Sequence, residues 1–334
     1  MKLEEIVNIQ LLANHLKIEK ESLQFIVNND YITEITSKKD FKKGCLINEI
    51  KIKKRSNGYR YVYSPVSDIL VNTLKILSGK IKELYKPTEY VHGFVPGRNT
   101  KTNAQEHLAK RVVYCVDIDK YFENIDIEKV KSAILSIGYN EYCSDKISKI
   151  VTHKNQLVQG FHTSPVIANI VFHEIDLKLS RLGDENVSYT RYADDLYFST
   201  SGRINFEKDI EDILNSYGFK VNSKKTKFMI RGRSQFVTGL TVFDEMYPRI
   251  PKKIKRSIRQ KIHFISLFGY RGHVLHKLNI EKQLYDQNEE IQKHVDSKIY
   301  LEKLNIEGWL NYINSIEPDF SKKCYSKLSK KDNP

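Results

Sequence analysis

Cysteine is scarce in this chain: four residues in 334, at positions 45, 115, 143 and 324. No two of them form a Cys-x-x-Cys pair. That spacing argues against a disulfide framework and against a thiolate zinc site. No stretch reaches the roughly 18 consecutive apolar residues of a membrane-spanning helix. The opening residues, Met1-Lys2-Leu3-Glu4-Glu5, begin a mixed amphipathic segment and lack the pattern of a secretory leader. A reducing cytoplasm is the expected compartment, with no membrane among the partners.

What is present is a core and a charge. Hydrophobic residues make up 40% of the chain, ample for a core shared by two or three subdomains. The formal net charge is +14. Residues 224–334 hold 23 Lys and Arg against 12 Asp and Glu, so they carry 11 of that surplus. A solvated basic face is the ordinary reading of such a run. It gives no reason for the concentration in the last third, whereas a groove for a polyanion does.

Two adjacent acids are the sharpest local feature. Asp194 and Asp195 lie between Val187-Ser188-Tyr189-Thr190-Arg191-Tyr192 and Leu196-Tyr197-Phe198-Ser199-Thr200, both of strand composition. The pair therefore falls at a hairpin tip. A polar turn is the bland alternative. Neighbouring carboxylates repel, and a divalent cation relieves that repulsion. Upstream, Arg111 to Phe122 is an apolar strand ending in acid, with Asp117 near its carboxyl end. A strand-end cap is the bland reading of Asp117. Placed beside the hairpin, it completes a hard oxygen site suited to Mg²⁺. Two such ions about 4 Å apart activate a hydroxyl nucleophile and stabilise leaving pyrophosphate.

The remaining pattern supplies a frame. Residues 1–45 read as short helices, with Ile6, Ile9, Leu12 and Leu16 at helical spacing. Residues 46–63 read as a hairpin turned by Asn57-Gly58. Tyr59, Tyr61 and Tyr63 share one face of its return strand. Helices are predicted over Ile69–Leu84, Asn103–Ala109, Ile125–Ile137, Glu141–Val151, Val166 to about Leu182, and Phe206–Tyr217. A loop is predicted over 87–100. Strands are predicted at 112–117, 187–192, 196–200, 219–222 and 226–230. Strand and helix alternate without regular repeats, which fits an α+β class with an antiparallel sheet. From Pro251 the pattern is helical, with Ile254, Ile258, Ile262 and Ile265 as an apolar stripe. Lys252, Lys253, Lys255, Arg256, Arg259 and Lys261 lie mostly on the other faces. A helix lying on a membrane surface is the alternative there. Further helices are predicted at 280–304 and Glu307–Ile316, with a frayed Lys-rich tail from Ser321.

These segments carry a family resemblance. Asp117-x-x-x-Tyr121-Phe122, then Gln159-Gly160-Phe161-His162-Thr163-Ser164-Pro165, then Tyr192-Ala193-Asp194-Asp195, then Gly218 to Thr226 resemble the ordered palm motifs of reverse transcriptases. Asn103-Ala104-Gln105-Glu106-His107 and Val237-Thr238-Gly239 resemble two elements of retron reverse transcriptases. The resemblance covers roughly residues 40–320. It implies a right-hand polymerase with fingers, an antiparallel-sheet palm and a helical thumb. The implied organisation is N-terminal helices and fingers over 1–110, palm with inserted fingers helices over 111–240, and thumb with basic tail over 241–334.

Roles follow by the same resemblance. Asp117 and Asp194 would hold two Mg²⁺ ions with the Ile118 carbonyl, and Asp195 would sit beside them. Phe122 would be the gate under the incoming sugar that excludes a 2′-hydroxyl. Gln159 would line the pocket for dNTP substrates. Gly160 would permit close approach of the template-primer, and Ala193 would leave room for the primer end. Arg60 first, and Lys53 second, would clamp the triphosphate. Lys225 would assist proton transfer to pyrophosphate. Asn103, His107, Val237, Thr238 and Gly239 would recognise the cognate structured non-coding RNA. Lys252, Lys255, Arg256 and Arg259 would track its backbone. For several of these a core or solvated surface position is the competing reading.

The implied activity is RNA-directed DNA synthesis primed from a guanosine 2′-hydroxyl, yielding branched multicopy single-stranded DNA. Few residues remain after the thumb, so a host RNase H would remove template. An effector protein in anti-phage defence is the other implied partner. A group II intron-like or diversity-generating reverse transcriptase is the nearest alternative. A nucleotide cyclase and a non-enzymatic RNA-binding scaffold are more distant ones.

Overall fold

The structure is a computed structural model that describes residues 2–28, 46–53 and 58–329. The predicted Asn57 half of the first turn, and the side chain of Arg60, lie outside the described residues.

Helix α1 (Ile9–Leu16) is capped by the Asn8 side chain, which accepts from the Leu11 N–H at 2.9 Å. It is followed by α2 (Lys20–Asn28). Strands β1 (Ile47–Lys53) and β2 (Tyr59–Pro65) pair antiparallel, Ile47 opposite Pro65 and Lys53 opposite Tyr59. In α3 (Asp68–Leu84), Leu70, Leu74, Leu77 and Ile81 recur at helical spacing and are fully buried. The short α4 (Thr100–Gln105) starts and ends earlier than the pattern predicts. Then come β3 (Val112–Asp119), α5 (Ile127–Ser136) capped by Asp126, and α6 (Glu141–Val151) capped by Asn140. A minimal hairpin, β4 (Thr152–His153) and β5 (Gln156–Leu157), leads into the second motif.

The single helix predicted after Pro165 is two, α7 (Ser164–Val171) and α8 (His173–Leu179), interrupted at Phe172. Phe172 is fully buried against Tyr121 and Phe219, and burial of that ring accompanies the break. Strands β6 (Ser188–Tyr192) and β7 (Asp195–Thr200), helix α9 (Glu207–Ser216), and strands β8 (Lys220–Val221) and β9 (Lys227–Ile230) follow. A small hairpin, β10 (Phe236–Val237) and β11 (Leu240–Thr241), precedes the helices α10 (Lys252–Leu278), α11 (Lys282–Gln287), α12 (Glu289–Asn314) and α13 (Pro318–Leu328).

Two predictions near the end are corrected. The break placed after residue 304 is absent: α12 runs unbroken from its cap at Asn288, whose side chain accepts from Glu290 and Ile291. The tail is not frayed from Ser321. Pro318 starts α13, Ser321 and Cys324 are buried, and the Ser321 hydroxyl donates to the Leu310 carbonyl at 2.9 Å. Alternation of Lys with small and aromatic residues hid that buried face.

The chain forms two compact units. Met1–Asn99 and Arg111–Met229 make the first; Thr100–Lys110 and Ile230–Pro334 make the second. The first unit has a five-stranded sheet in the order β6-β7-β3-β8, with β9 also pairing with β3. The β6–β7, β7–β3 and β3–β8 pairs are antiparallel. The observed class is therefore the predicted α+β with an antiparallel sheet. Val116, Leu196, Phe198, Ile167 and Phe219 belong to one buried cluster that joins sheet and helices.

In the second unit α4 packs on the β10–β11 hairpin, and α10, α12 and α13 pack together. Helix α10 carries its apolar stripe inward at Ile258, Ile262 and Ile265, and bends at Gly269, where φ is +71°. Glu302 of α12, 7% exposed, ties that helix to Lys261 and Lys277 of α10, each at 2.8 Å.

Candidate active site

The acids are brought together by strand register. Asp117 on β3 stands directly opposite Asp195 on β7. Side chains facing across an antiparallel pair have Cβ atoms about 4.5–5.5 Å apart, and like charges there repel. Tyr192 pairs with Asp195, so Ala193 and Asp194 are the whole connection between β6 and β7. Ala193 takes φ +57°, the left-handed region that makes so short a reversal possible. The Ile118 N–H donates to the Asp194 carbonyl at 3.1 Å, so the turn is bonded to the strand that bears Asp117.

The electrostatics follow from that crowding. Asp117 is 6% exposed and accepts from the Lys225 ammonium at 3.1 and 2.9 Å. The pairing raises the Lys225 pKa, through the Asp117 hydrogen bond first. Asp195 is pushed up to about 6 by burial, then by the charges of Asp194 and Asp117. Cys115, two residues before Asp117, is pushed up to about 12 by burial and then by Asp195. Among the described residues no three His, Cys, Asp or Glu side chains close on one point as a metal cluster. The donor chemistry nevertheless fits a hard divalent cation: the acids offer only oxygen, they crowd one another, and Asp117 already holds the Lys225 cation.

The hairpin is also gripped from behind, by residues to which the sequence reading gave no role. Arg191 and Asp176 are both fully buried. Arg191 donates through Nε and Nη2 to the two oxygens of Asp176 at 2.8 and 2.7 Å. Its Nη1 donates to the Tyr121 hydroxyl at 3.1 Å, to Asn169 Oδ1 at 3.0 Å and to the Ala193 carbonyl at 3.2 Å. The Tyr189 hydroxyl donates to Asp176 Oδ1 at 2.7 Å. On the other side of β6 the predicted loop at 87–100 supplies Tyr90 to Gly93. The Arg191 N–H donates to the Tyr90 carbonyl and the His92 N–H to the Arg191 carbonyl, each at 2.8 Å. A Cβ on Gly93 would stand 2.5 Å from the Ala193 nitrogen, so only glycine lets that segment lie against the turn. A charged residue inside an aromatic strand, and another inside an apolar helix, are the signals that could have revealed the pair.

The second motif packs against β2. The Tyr63 N–H donates to the Gln159 carbonyl at 3.0 Å, and the Gln159 side chain is half-buried. Gly160 has φ +119°, and a Cβ there would collide with the Tyr63 carbonyl. The close approach that Gly160 serves in the structure is thus to β2. Phe122 is half-buried, edge-on to Tyr121 at 5.1 Å. Lys53 is exposed at the end of β1.

The second unit unites two elements separated by some 130 residues of sequence. Thr238 and Gly239 form the two-residue turn of the β10–β11 hairpin, at φ +46° and +80°. Positive φ at both positions is the signature of the tightest hairpin turns and accounts for the glycine. The Thr238 hydroxyl donates to the Thr100 carbonyl of α4 at 2.8 Å. Asn103, His107 and Val237 are fully buried, whereas Gly239 is exposed. On α10, Lys252, Arg256 and Arg259 are exposed. Lys255 differs: it is half-buried and paired with Glu317 at 2.8 Å.

Residues 52–271 match the family described as reverse transcriptase (RNA-dependent DNA polymerase). Among curated proteins, the Retron Mx65 reverse transcriptase of Myxococcus xanthus is 30% identical over 214 residues, 57% of this chain and 50% of that one. The Retron Ec86 reverse transcriptase of Escherichia coli is 26% identical over 279 residues, 81% of this chain and 76% of that one. The Retron Se72 reverse transcriptase of Salmonella heidelberg is 28% identical over 284 residues, 80% and 70%. The chain spans about half the length of the Mx65 protein. No described helix is long and apolar enough to cross a membrane.

Proposed function

Since the chain belongs to the reverse transcriptase (RNA-dependent DNA polymerase) family, we propose that it is a retron-type RNA-directed DNA polymerase. It copies a cognate structured non-coding RNA into branched single-stranded DNA, starting from a guanosine 2′-hydroxyl. The observation that supports this most is the register of Asp117 opposite Asp195, with Asp194 in the connecting turn. That arrangement lies inside the family-matched segment.

Asp117, Asp194 and the Ile118 carbonyl would hold two Mg²⁺ ions, with Asp195 beside them. When bound, these ions lower the cost of forming an oxyanion nucleophile and of releasing pyrophosphate. The chain's own residues do the rest. The β6–β7 turn presents the acids. Lys225 brings a proton-bearing cation to their edge. Phe122 would gate the incoming sugar, Gln159 would line the dNTP pocket, and Arg60 and Lys53 are the candidates to clamp its triphosphate. Lys252, Arg256 and Arg259 follow the nucleic-acid backbone as point charges. In the cell the reading implies a host RNase H, an effector protein and a role in anti-phage defence in the cytoplasm.

The test is co-expression with the RNA encoded beside the gene, with Asp194→Asn/Asp195→Asn as control. DNA that stays joined to RNA until a debranching enzyme acts, and that disappears in the control, is the expected product. DNA made only from added primers favours an intron-like or diversity-generating enzyme. No DNA under either condition removes the polymerase reading.

A further inference from the structure

Four sequence segments meet at one buried guanidinium. Tyr121 follows the Asp117 strand, Asn169 and Asp176 come from α7 and α8, Arg191 lies near the end of β6, and Ala193 is the first residue of the β6–β7 turn. Asp176 pairs with Arg191 and takes two of the guanidinium nitrogens in a fork. The remaining nitrogen, Nη1, is shared among the Tyr121 hydroxyl, Asn169 Oδ1 and, at 3.2 Å, the Ala193 carbonyl in the turn. Asn169 extends the grip: its Oδ1 accepts from Arg191 and its Nδ2 donates to the Gly93 carbonyl at 3.0 Å. Gly93 in turn lies against the Ala193 nitrogen. The Ala193 carbonyl is thus held by a hydrogen bond and its nitrogen side is closed in by Gly93, one residue ahead of Asp194.

A buried ion pair is a poor way to gain stability, because desolvation offsets much of the attraction. A planar fork with fixed donors is a good way to fix direction. We propose that Arg191, oriented by Asp176 and Asn169, is a positioning residue that sets where the Asp194 and Asp195 carboxylates point relative to Asp117. This rests on the polymerase reading for its consequence in activity, but not for its effect on cation binding.

The deciding variant is Arg191→Lys in the full chain. It keeps the charge beside Asp176 but cannot reach Asp176 and the Ala193 carbonyl together. Mn²⁺ binding, read from the free-ion paramagnetic resonance signal, should weaken by about 10-fold, the scale on which partners behind a metal ligand act. Single-nucleotide incorporation should slow by at least about the same factor, with the RNA–DNA duplex Kd within about 2-fold. Leu214→Ala, in the α9 core, is the control for general loss of stability; it should lower the melting temperature and leave Mn²⁺ binding in place. Where Arg191→Lys does not fold, Asn169→Ala carries the same readouts. Mn²⁺ affinity unchanged in the folded variant, or lowered equally by Leu214→Ala, overturns the proposal. A wild-type chain that binds Mn²⁺ but incorporates no nucleotide sinks the polymerase reading alone, and the Mn²⁺ comparison still decides the role of Arg191.

Discussion

Lys225 and Gly160 separate two kinds of contribution that single residues make here. The Lys225 side chain is 58% exposed, so its pair with Asp117 is screened by water. Lys225→Met should change stability by no more than about 1 kcal/mol. Nucleotide incorporation should fall by at least about 10-fold if the ammonium serves proton transfer. Equal rates for the two proteins would remove that role. Gly160 is the reverse case. Its φ of +119° and the Tyr63 carbonyl leave no place for a methyl group. Gly160→Ala should cost about 1–3 kcal/mol, seen as a lower urea midpoint. At this scale the sequence showed the acids clearly, because adjacent carboxylates in strand composition are rare and conspicuous. It did not show Arg191, because a lone Arg in a strand looks like a solvent-facing residue until its partner is known. Asp176 sits 15 positions away on another element, and no local period links the two.

Among the elements, the α10–α12 contact has a built-in pH dependence. Burial of Glu302 opposes its charge, but hydrogen bonds from Lys261 and Lys277 prevail and hold its carboxyl at about 2, below an ordinary 4.5. A lowered folded-state pKa means stability that is present above the unfolded value and lost as pH falls toward the folded one. Glu302→Gln should therefore melt below wild type at pH 7, and the gap should close between pH 4.5 and about 2. A gap that stays constant over that window would mean the carboxylate adds nothing as a charge. Elements with a strong period were legible: α3, α6 and the β3–β7 pair fall within a residue or two of the pattern. Elements without one were not. Helix α12 hides its buried face among charged residues such as Glu302, and α13 among lysines, so composition alone suggested a break and a tail.

For the whole molecule the surplus of positive charge makes a quantitative expectation. Binding to an RNA–DNA duplex should weaken linearly in log salt, with a slope of about −0.9 per phosphate neutralised. Replacing Lys252, Arg256 and Arg259 together by Glu should flatten that slope by about 2–3 without unfolding the chain, since all three are exposed. Lys255→Glu should instead lower the melting temperature, because it would face Glu317 across a 2.8 Å contact. Titrations at several salt concentrations and one thermal melt separate the two outcomes. A slope that the triple replacement leaves unchanged would exclude this helix from the duplex path.

The second unit is assembled from two stretches of chain, and that has a practical consequence for anyone building hybrids. Thr238 reaches Thr100, Gln105 reaches Met246, and Arg231 reaches the Ala109 carbonyl. A carboxy-terminal transplant from another member of the family that starts at residue 230 would arrive without its own matching eleven-residue piece, Thr100–Lys110. Exchange should succeed only when both pieces travel together. The portable module is discontinuous, and its smaller part lies immediately upstream of the strand that carries Asp117.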